Sequence, residues 1–274
     1  MRIDSHQHFW KFGKEKDAWI PDEMSVIRKD FFPENLKPIL ERNKVDGCVA
    51  VQAAPTENET KFLLNLAKEY EFIKGVVGWV DFTGDNLEER LAHFSKDPKF
   101  KGVRHLLQAK PASYMLQPKF LKGMEVFGNF NLTYDLLVLE NQLANTIELV
   151  SNFPNQKFVL NHLAKPNVSK GISKNWKELI TKLADKKNVS CKLSGLLTET
   201  ENFNWKPEDF YPFFDFALEV FGPDRLMFGS DWPVSLAAGQ YSDTVNITED
   251  FLKTRNEIVL EKIMGLNAIN FYQL

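Results

Sequence analysis

Eight short apolar runs, amphipathic or charged stretches between them, and 274 residues without a linker or second compositional block predict an α/β protein: a single (β/α)8 TIM barrel over residues 1–274. The runs lie at 3–8, 47–53, 74–80, 101–105, 132–137, 157–162, 189–194 and 226–231. Each is rich in Val, Ile, Leu or Phe and too short for a globular helix. Such alternation implies parallel strands joined by right-handed crossovers. An open doubly wound sheet would need a phosphate-cradling glycine turn after the first strand. The stretch IDSHQHFW at 3–10 has none.

The intervening segments carry helical periodicity. ENETKFLLNLAKEY puts Phe62, Leu63, Leu66 and Ala67 on one face. ENQLANTIELVSNF repeats the design with Leu143, Ile147 and Val150, and residues 175–187 and 207–221 follow it. Pro33 suits the first turn of PENLKPILERN, whereas Pro38 argues for a broken or late start there. Asp97-Pro98, Phe153-Pro154 and Gly222-Pro223 punctuate helix ends.

Composition narrows the partners. Hydrophobic residues make up 43% and charged residues 26%, an ordinary globular balance. With 34 basic against 37 acidic residues the net charge is −3, which argues against a nucleic-acid binder and leaves a small-molecule substrate, anionic or not. No apolar run approaches the roughly 18 residues of a membrane span, and Arg2, Asp4 and two histidines stand where a signal peptide needs an apolar core. A cytoplasmic location is expected. Cys48 and Cys191 each sit in an apolar run and read as buried thiols.

Two of the five histidines, His6 and His8, stand one residue apart on the first run. Strand alternation sends both to one face, about 7 Å apart along the strand. They lie toward its carboxyl end, where barrel active sites assemble. That spacing suits two imidazoles converging on one ion, and further ligands are expected at other strand ends. His162 closes the sixth run, and Asp231 closes the eighth, beside the first in a closed barrel. Asp231 follows apolar residues, where a carboxylate must be paired or coordinating. Gly229 removes a side chain where something approaches closely.

IDSHQHFW, GVRHLLQ, NHLAKP, KLSGL and FGSDWPV, in that order, resemble the amidohydrolase superfamily. More narrowly they are similar to its lactonase group, which includes L-fucono- and L-rhamnono-lactone hydrolases and pyrone-dicarboxylate lactonase. The resemblance implies a (β/α)8 barrel in which His6, His8 and Asp231 surround one divalent ion, Zn2+ by preference, or the catalytic water. His162 adds a further polar group. Some lactonases of the group work without metal. Members with two ions carry a bridging lysine or glutamate on a middle strand; LTYDL at 132–136 has no such lysine. Asn161 stands where an aspartate is expected.

Other residues complete the expected pocket. On the seventh run Ser190, Lys192 and Ser194 form the inward set, so Lys192 contacts either substrate or an inward acid such as Asp135. Arg104 and His105 are neighbours, and alternation turns only one of them inward; a guanidinium suits a lactone oxygen, which favours Arg104, with His105 joining if the strand breaks. Lys165 lies on the rim loop, Trp10 and Trp232 are candidate apolar walls, and Tyr134 is either a rim donor or a core packing residue. Trp19 and Trp79 read as packing residues, and His93 as solvated. The expected function is hydrolysis of a small sugar-acid lactone by direct water attack, with Asp231 as general acid and base, since no G-x-S-x-G elbow is present. A metal-dependent decarboxylase of the same superfamily and a non-catalytic sugar-acid-binding barrel are the alternatives.

Overall fold

All eight apolar runs become strands, because β-branched and aliphatic side chains buried on both faces suit a parallel sheet. In the computed structural model, which describes residues 1–253 and 255–274, the strands are β1 (Ile3–Gln7), β2 (Gly47–Val51), β3 (Ile73–Gly78) and β4 (Phe100–His105). The second half adds β5 (Thr133–Leu136), β6 (Phe158–Leu160), β7 (Val189–Leu193) and β8 (Leu226–Phe228). Neighbours pair in parallel in the order β1 to β8. The ring closes just past β8, where the His8 amide donates to the Trp232 carbonyl (2.7 Å) and the Asp231 amide to the His6 carbonyl (2.8 Å).

The crossovers are α1 (Pro33–Arg42), α2 (Glu57–Glu69), α3 (Leu87–Phe94), α4 (Pro118–Phe127), α5 (Leu143–Asn152), α6 (Lys174–Ala184) and α7 (Tyr211–Phe221). After β8 come α8 (Tyr241–Leu252), α9 (Glu257–Glu261), one π turn (Lys262–Leu266) and α10 (Asn267–Tyr272). α2 starts where the Thr56 hydroxyl caps the Glu59 amide at 3.2 Å, and it buries Leu63 and Ala67 as its periodicity requires. α1 runs unbroken through Pro38, contrary to expectation. Pro38, sixth of its ten residues, lies on the exposed side with Glu34, so the Glu34 carbonyl deprived of a partner faces water.

Two apolar layers result. The larger lies between the strands and the helices, with Trp176 of α6 against Phe213 and Phe216 of α7 among its contacts. The smaller fills the barrel axis with Ile3, Val49, Val51, Val77, Val159 and Met227, and Ala268 and Tyr272 of α10 plug its amino-terminal end. Each fully buried aliphatic or aromatic side chain contributes about 1.5–3 kcal/mol. Cys48 and Cys191 are buried free thiols. No described helix is long and apolar enough to cross a membrane.

The barrel axis turns polar toward the carboxyl ends of the strands. Asp135 of β5, Lys192 of β7, Arg104 of β4 and His6 of β1 all project inward there, so the apolar plug forms the floor beneath a polar mouth.

Candidate active site

The mouth holds a cavity of about 200 Å³. His8, Arg104, Gln108, His162, Lys165 and Asp231 form its polar lining, and Trp10, Trp19, Ala53, Leu106, Leu137 and Val234 much of its apolar wall. At its base Asp231 Oδ1 lies 3.4 Å from His8 Nε2, 3.6 Å from His6 Nε2 and 3.8 Å from His162 Nε2. The imidazoles cluster tightly, with ring centroids of His6 4.4 Å from His162 and 5.0 Å from His8. Three grooves larger than this cavity lie elsewhere on the described surface, and none gathers such a cluster.

Asp231 reaches this position because the chain leaves the β geometry after Phe228. Its φ is 56°, a left-handed conformation that costs a non-glycine residue about 1 kcal/mol. Asp4 holds the bend: one carboxylate oxygen accepts from the Ser230 amide (2.9 Å), the other from the Ser230 hydroxyl (2.5 Å) and the Tyr241 hydroxyl of α8 (3.2 Å). Burial pushes the Asp4 carboxyl up to about 6 against the pull of those donors. A register shift in β1 between Asp4 and Gln7 turns Asp4 outward toward α8 while His6 and His8 face the mouth. Gly229 has the role its position suggests, since a Cβ there would stand 2.8 Å from His6 Cβ.

His162 lies beyond its strand, not within it. β6 ends at Leu160, and His162, Leu163, Ala164 and Lys165 follow with φ between 52° and 60°, one left-handed turn. The turn aims Nε2 at Asp231, and Nδ1 is hydrogen-bonded to the Ser194 hydroxyl at 2.8 Å. Gly195 must be a glycine, because its φ is 67° and a Cβ would come within 2.3 Å of His162 Nδ1.

Burial and neighbouring charge set the protonation states. His8 gives its Nδ1 hydrogen to the Val51 carbonyl (2.7 Å), which leaves an Nε2 lone pair toward Asp231. Burial lowers the His8 pKa and brings that of His162 to about 3, so both are neutral at pH 7. Burial alone would raise the Asp231 carboxyl, but His162, which takes up its proton first as pH falls, then His8 and Lys165, outweigh burial and bring it to about 2. Asp231 is therefore the one negative charge among the described residues at the base of the cavity.

His6 Nδ1 lies 3.2 Å from Lys192 Nζ, and its Nε2 lies 3.3 Å from Arg104 Nη1. Burial, then Lys192, drive its pKa well down, and it stays neutral. The Gln52 carbonyl and carboxamide anchor Arg104, whose own pKa burial brings to about 10, so it remains a cation. One ligand atom each from His6, His8 and Asp231 lie within 4.8 Å of one another. An ionised carboxylate and a His8 lone pair fixed by a carbonyl fit a divalent ion such as Zn2+. Arg104 competes for the third ligand, His6 Nε2.

Several expected site residues stand elsewhere. Lys192 is fully buried below the mouth, with Nζ 2.6 Å from Asp135 Oδ2, and Tyr272 of α10 donates to the same carboxylate at 2.9 Å. Of the two contacts weighed for Lys192, the structure has the ion pair. His105 faces away from the axis, because β4 stays extended and alternation sends it outward. It pairs with the Val80 carbonyl (2.9 Å) and the Tyr134 hydroxyl (3.1 Å) and packs on Phe82. Of the two readings of Tyr134, the structure has the buried core partner. Trp232 packs on Phe9 and Phe31 behind the cavity, since the bend at Asp231 turns the following side chain outward. The aromatic wall comes instead from Trp10 and from Trp19, 49% exposed on the long loop after β1. Lys165 lines the cavity while paired to Glu199 at 2.8 Å. Gln108, at the end of GVRHLLQ, was not singled out; its only signal was its place just past a strand's carboxyl end.

Comparison with known proteins agrees with this architecture. An amidohydrolase family model matches residues 3–274. An L-fucono-1,5-lactonase of Burkholderia ambifaria is 36% identical over all of this chain and 96% of its own length. An L-fucono-1,5-lactonase of Burkholderia multivorans is 35% identical over 93% of this chain and 90% of its own. The crystal structure of an amidohydrolase from Burkholderia multivorans with bound Zn superposes with a TM-score of 0.96 at 34% identity, covering 100% of this chain and 99% of that one. With a single model spanning the barrel from first strand to last, the chain belongs to the amidohydrolase family.

Proposed function

We propose that this chain is a lactonase that opens a small sugar-acid lactone of the L-fucono or L-rhamnono type by direct attack of water. The observation that carries this reading is the single ionised carboxylate, Asp231, facing three neutral imidazoles at the base of a cavity that also holds the Arg104 guanidinium. The full-length similarity to L-fucono-1,5-lactonases supports the choice of substrate. Trp10, Trp19, Leu106 and Leu137 offer an apolar surface suited to the methyl-bearing face of a 6-deoxy sugar.

The residues divide the work as follows. His8 Nε2 and Asp231 Oδ1 are two acceptors 3.4 Å apart, so a water donating to both is aimed with a lone pair into the cavity. Arg104 receives the lactone carbonyl oxygen and stabilises the charge that grows there as the water oxygen bonds to carbon. Asp231 takes the proton from the attacking water. The ring carbon–oxygen bond then breaks, and Asp231 returns that proton to the departing alkoxide, giving an open-chain aldonic acid that ionises to the aldonate and releases one proton to solvent. His162, anchored by Ser194, borders the carboxylate and fixes its direction. His6, His8 and Asp231 would hold a divalent ion such as Zn2+, whose chemistry there is Lewis-acid polarisation.

A pH-indicator screen of aldono-1,4- and aldono-1,5-lactones, run with and without chelator, tests the proposal. Proton release above the spontaneous rate, greatest with L-fucono- and L-rhamnono-type lactones, is expected. A chain that opens no lactone, or that releases carbon dioxide from an aromatic acid, is not a lactonase.

A further inference from the structure

We infer that Gln108 is the residue that recognises a ring hydroxyl of the substrate, and so sets the preference for hydroxylated over unsubstituted lactones. This inference rests on the lactonase reading of the same cavity. Gln108 sits on the short 3-10 turn Leu107–Ala109 that follows β4. Its amide donates to the Leu137 carbonyl at 2.9 Å, and Gln142 donates to the carbonyls of Leu107 and Lys110 at 2.8 Å on either side. Three backbone anchors therefore hold the turn, and the side chain projects from a rigid base into the cavity.

The carboxamide oxygen Oε1 is buried and accepts no hydrogen bond from any described residue. A buried acceptor left unpaired is unfavourable, and such groups in native proteins await a ligand or a water. The charged groups of the lining serve elsewhere: Lys165 pairs with Glu199, Arg104 with Gln52, and Asp231 flanks the attacking water with His8. Gln108 is the one carboxamide among the described lining residues, and a sugar hydroxyl pairs with either end of a carboxamide. β4 and β8 stand four strands apart in a ring of eight, so Gln108 and Asp231 face each other across the mouth. A lactone with its carbonyl at Arg104 and Asp231 turns the far side of its ring toward Gln108. A site built to pair with a hydroxyl discriminates strongly against the analogue that lacks it.

The test compares kcat/KM for L-fucono-1,5-lactone with that for δ-valerolactone, which has the same ring without hydroxyls, in the wild type, Gln108→Met and Gln108→Glu. The wild type is expected to favour the hydroxylated lactone. In Gln108→Met that ratio should fall about tenfold, the loss of one buried hydrogen bond, with the thermal midpoint preserved. Gln108→Glu, which keeps an acceptor oxygen, should retain most of the ratio. An unchanged ratio in Gln108→Met, or equal falls on both substrates, overturns the assignment and leaves the lactonase reading intact. A wild type that opens neither lactone removes both.

Discussion

The seam between β8 and β1 and the seam between β4 and β5 both join neighbouring strands of the barrel, by different means. β4 and β5 pair in unbroken register from Gly102 with Thr133 to His105 with Leu136. Alternation then holds throughout: Arg104 and Asp135 face in, His105 and Tyr134 face out. At the other seam, side chains and the segment past β8 replace much of the ladder. Ser5 donates to the Phe228 carbonyl, Asp4 gathers Ser230 and Tyr241, and Gln7 bridges to Trp232. The regular seam positions side chains by pleat alone. The irregular one bends the backbone, and the bend carries Asp231 over the mouth. Disruption at β8–β1 should therefore appear first in turnover, and disruption around β5 first in stability.

The largest expected effect is that of Asp231→Asn, which removes the proposed proton acceptor and should lower kcat about 1,000-fold with little change in the thermal transition. Near-normal turnover would place the chemistry elsewhere and end the contrast between the seams. Lys192→Met leaves Asp135 buried without its cation and should cost about 4 kcal/mol in denaturant unfolding. Adding Asp135→Leu to it should recover part of that loss; no recovery would mean that the pair is not the source. His105 supplies a pH test on the regular seam. Burial lowers its folded pKa to about 4 from an ordinary 6.5, so in that window the unfolded chain binds a proton that the folded one refuses. Stability attributable to His105 is therefore whole above pH 6.5 and falls, by on the order of 3 kcal/mol, as pH drops to 4. The stability difference between wild type and His105→Phe, followed by denaturant titration across that range, should shrink accordingly; a constant difference would contradict the buried neutral imidazole. The smallest effect links the two seams. Arg104→Met frees His6 Nε2 and should tighten Zn2+ binding about tenfold by calorimetry. Weaker binding would show that Arg104 does not compete for that nitrogen.

Much of this arrangement was legible in the residue order, and the parts that were not have identifiable physical reasons. Eight apolar runs at barrel spacing announce the strands, and two histidines one residue apart at the end of the first announce the mouth. Alternation also narrows Arg104 and His105 to one inward residue, and the extended end of β4 excludes the other. It fails for Asp4, which shares the parity of His6 but faces outward because of the irregularity in β1. The left-handed turn at 162–165 contains no glycine, so nothing in its letters marks the end of β6 at Leu160. Lys192 was readable as inward, yet whether it reaches up to the cavity or across to Asp135 depends on depth along the axis. Trp19 and Trp232 exchange expected roles for a similar reason: the path of the loop after β1 and the bend after β8 are tertiary features.

The most direct measurement is a crystal structure of the chain with L-fuconate, the open-chain product of the proposed reaction, bound. The account predicts the carboxylate of that ligand against Arg104, with Asp231 and His162 alongside, and a hydroxyl on Gln108. A ligand seated with its carboxylate away from Asp231, or in one of the outer grooves, would contradict it.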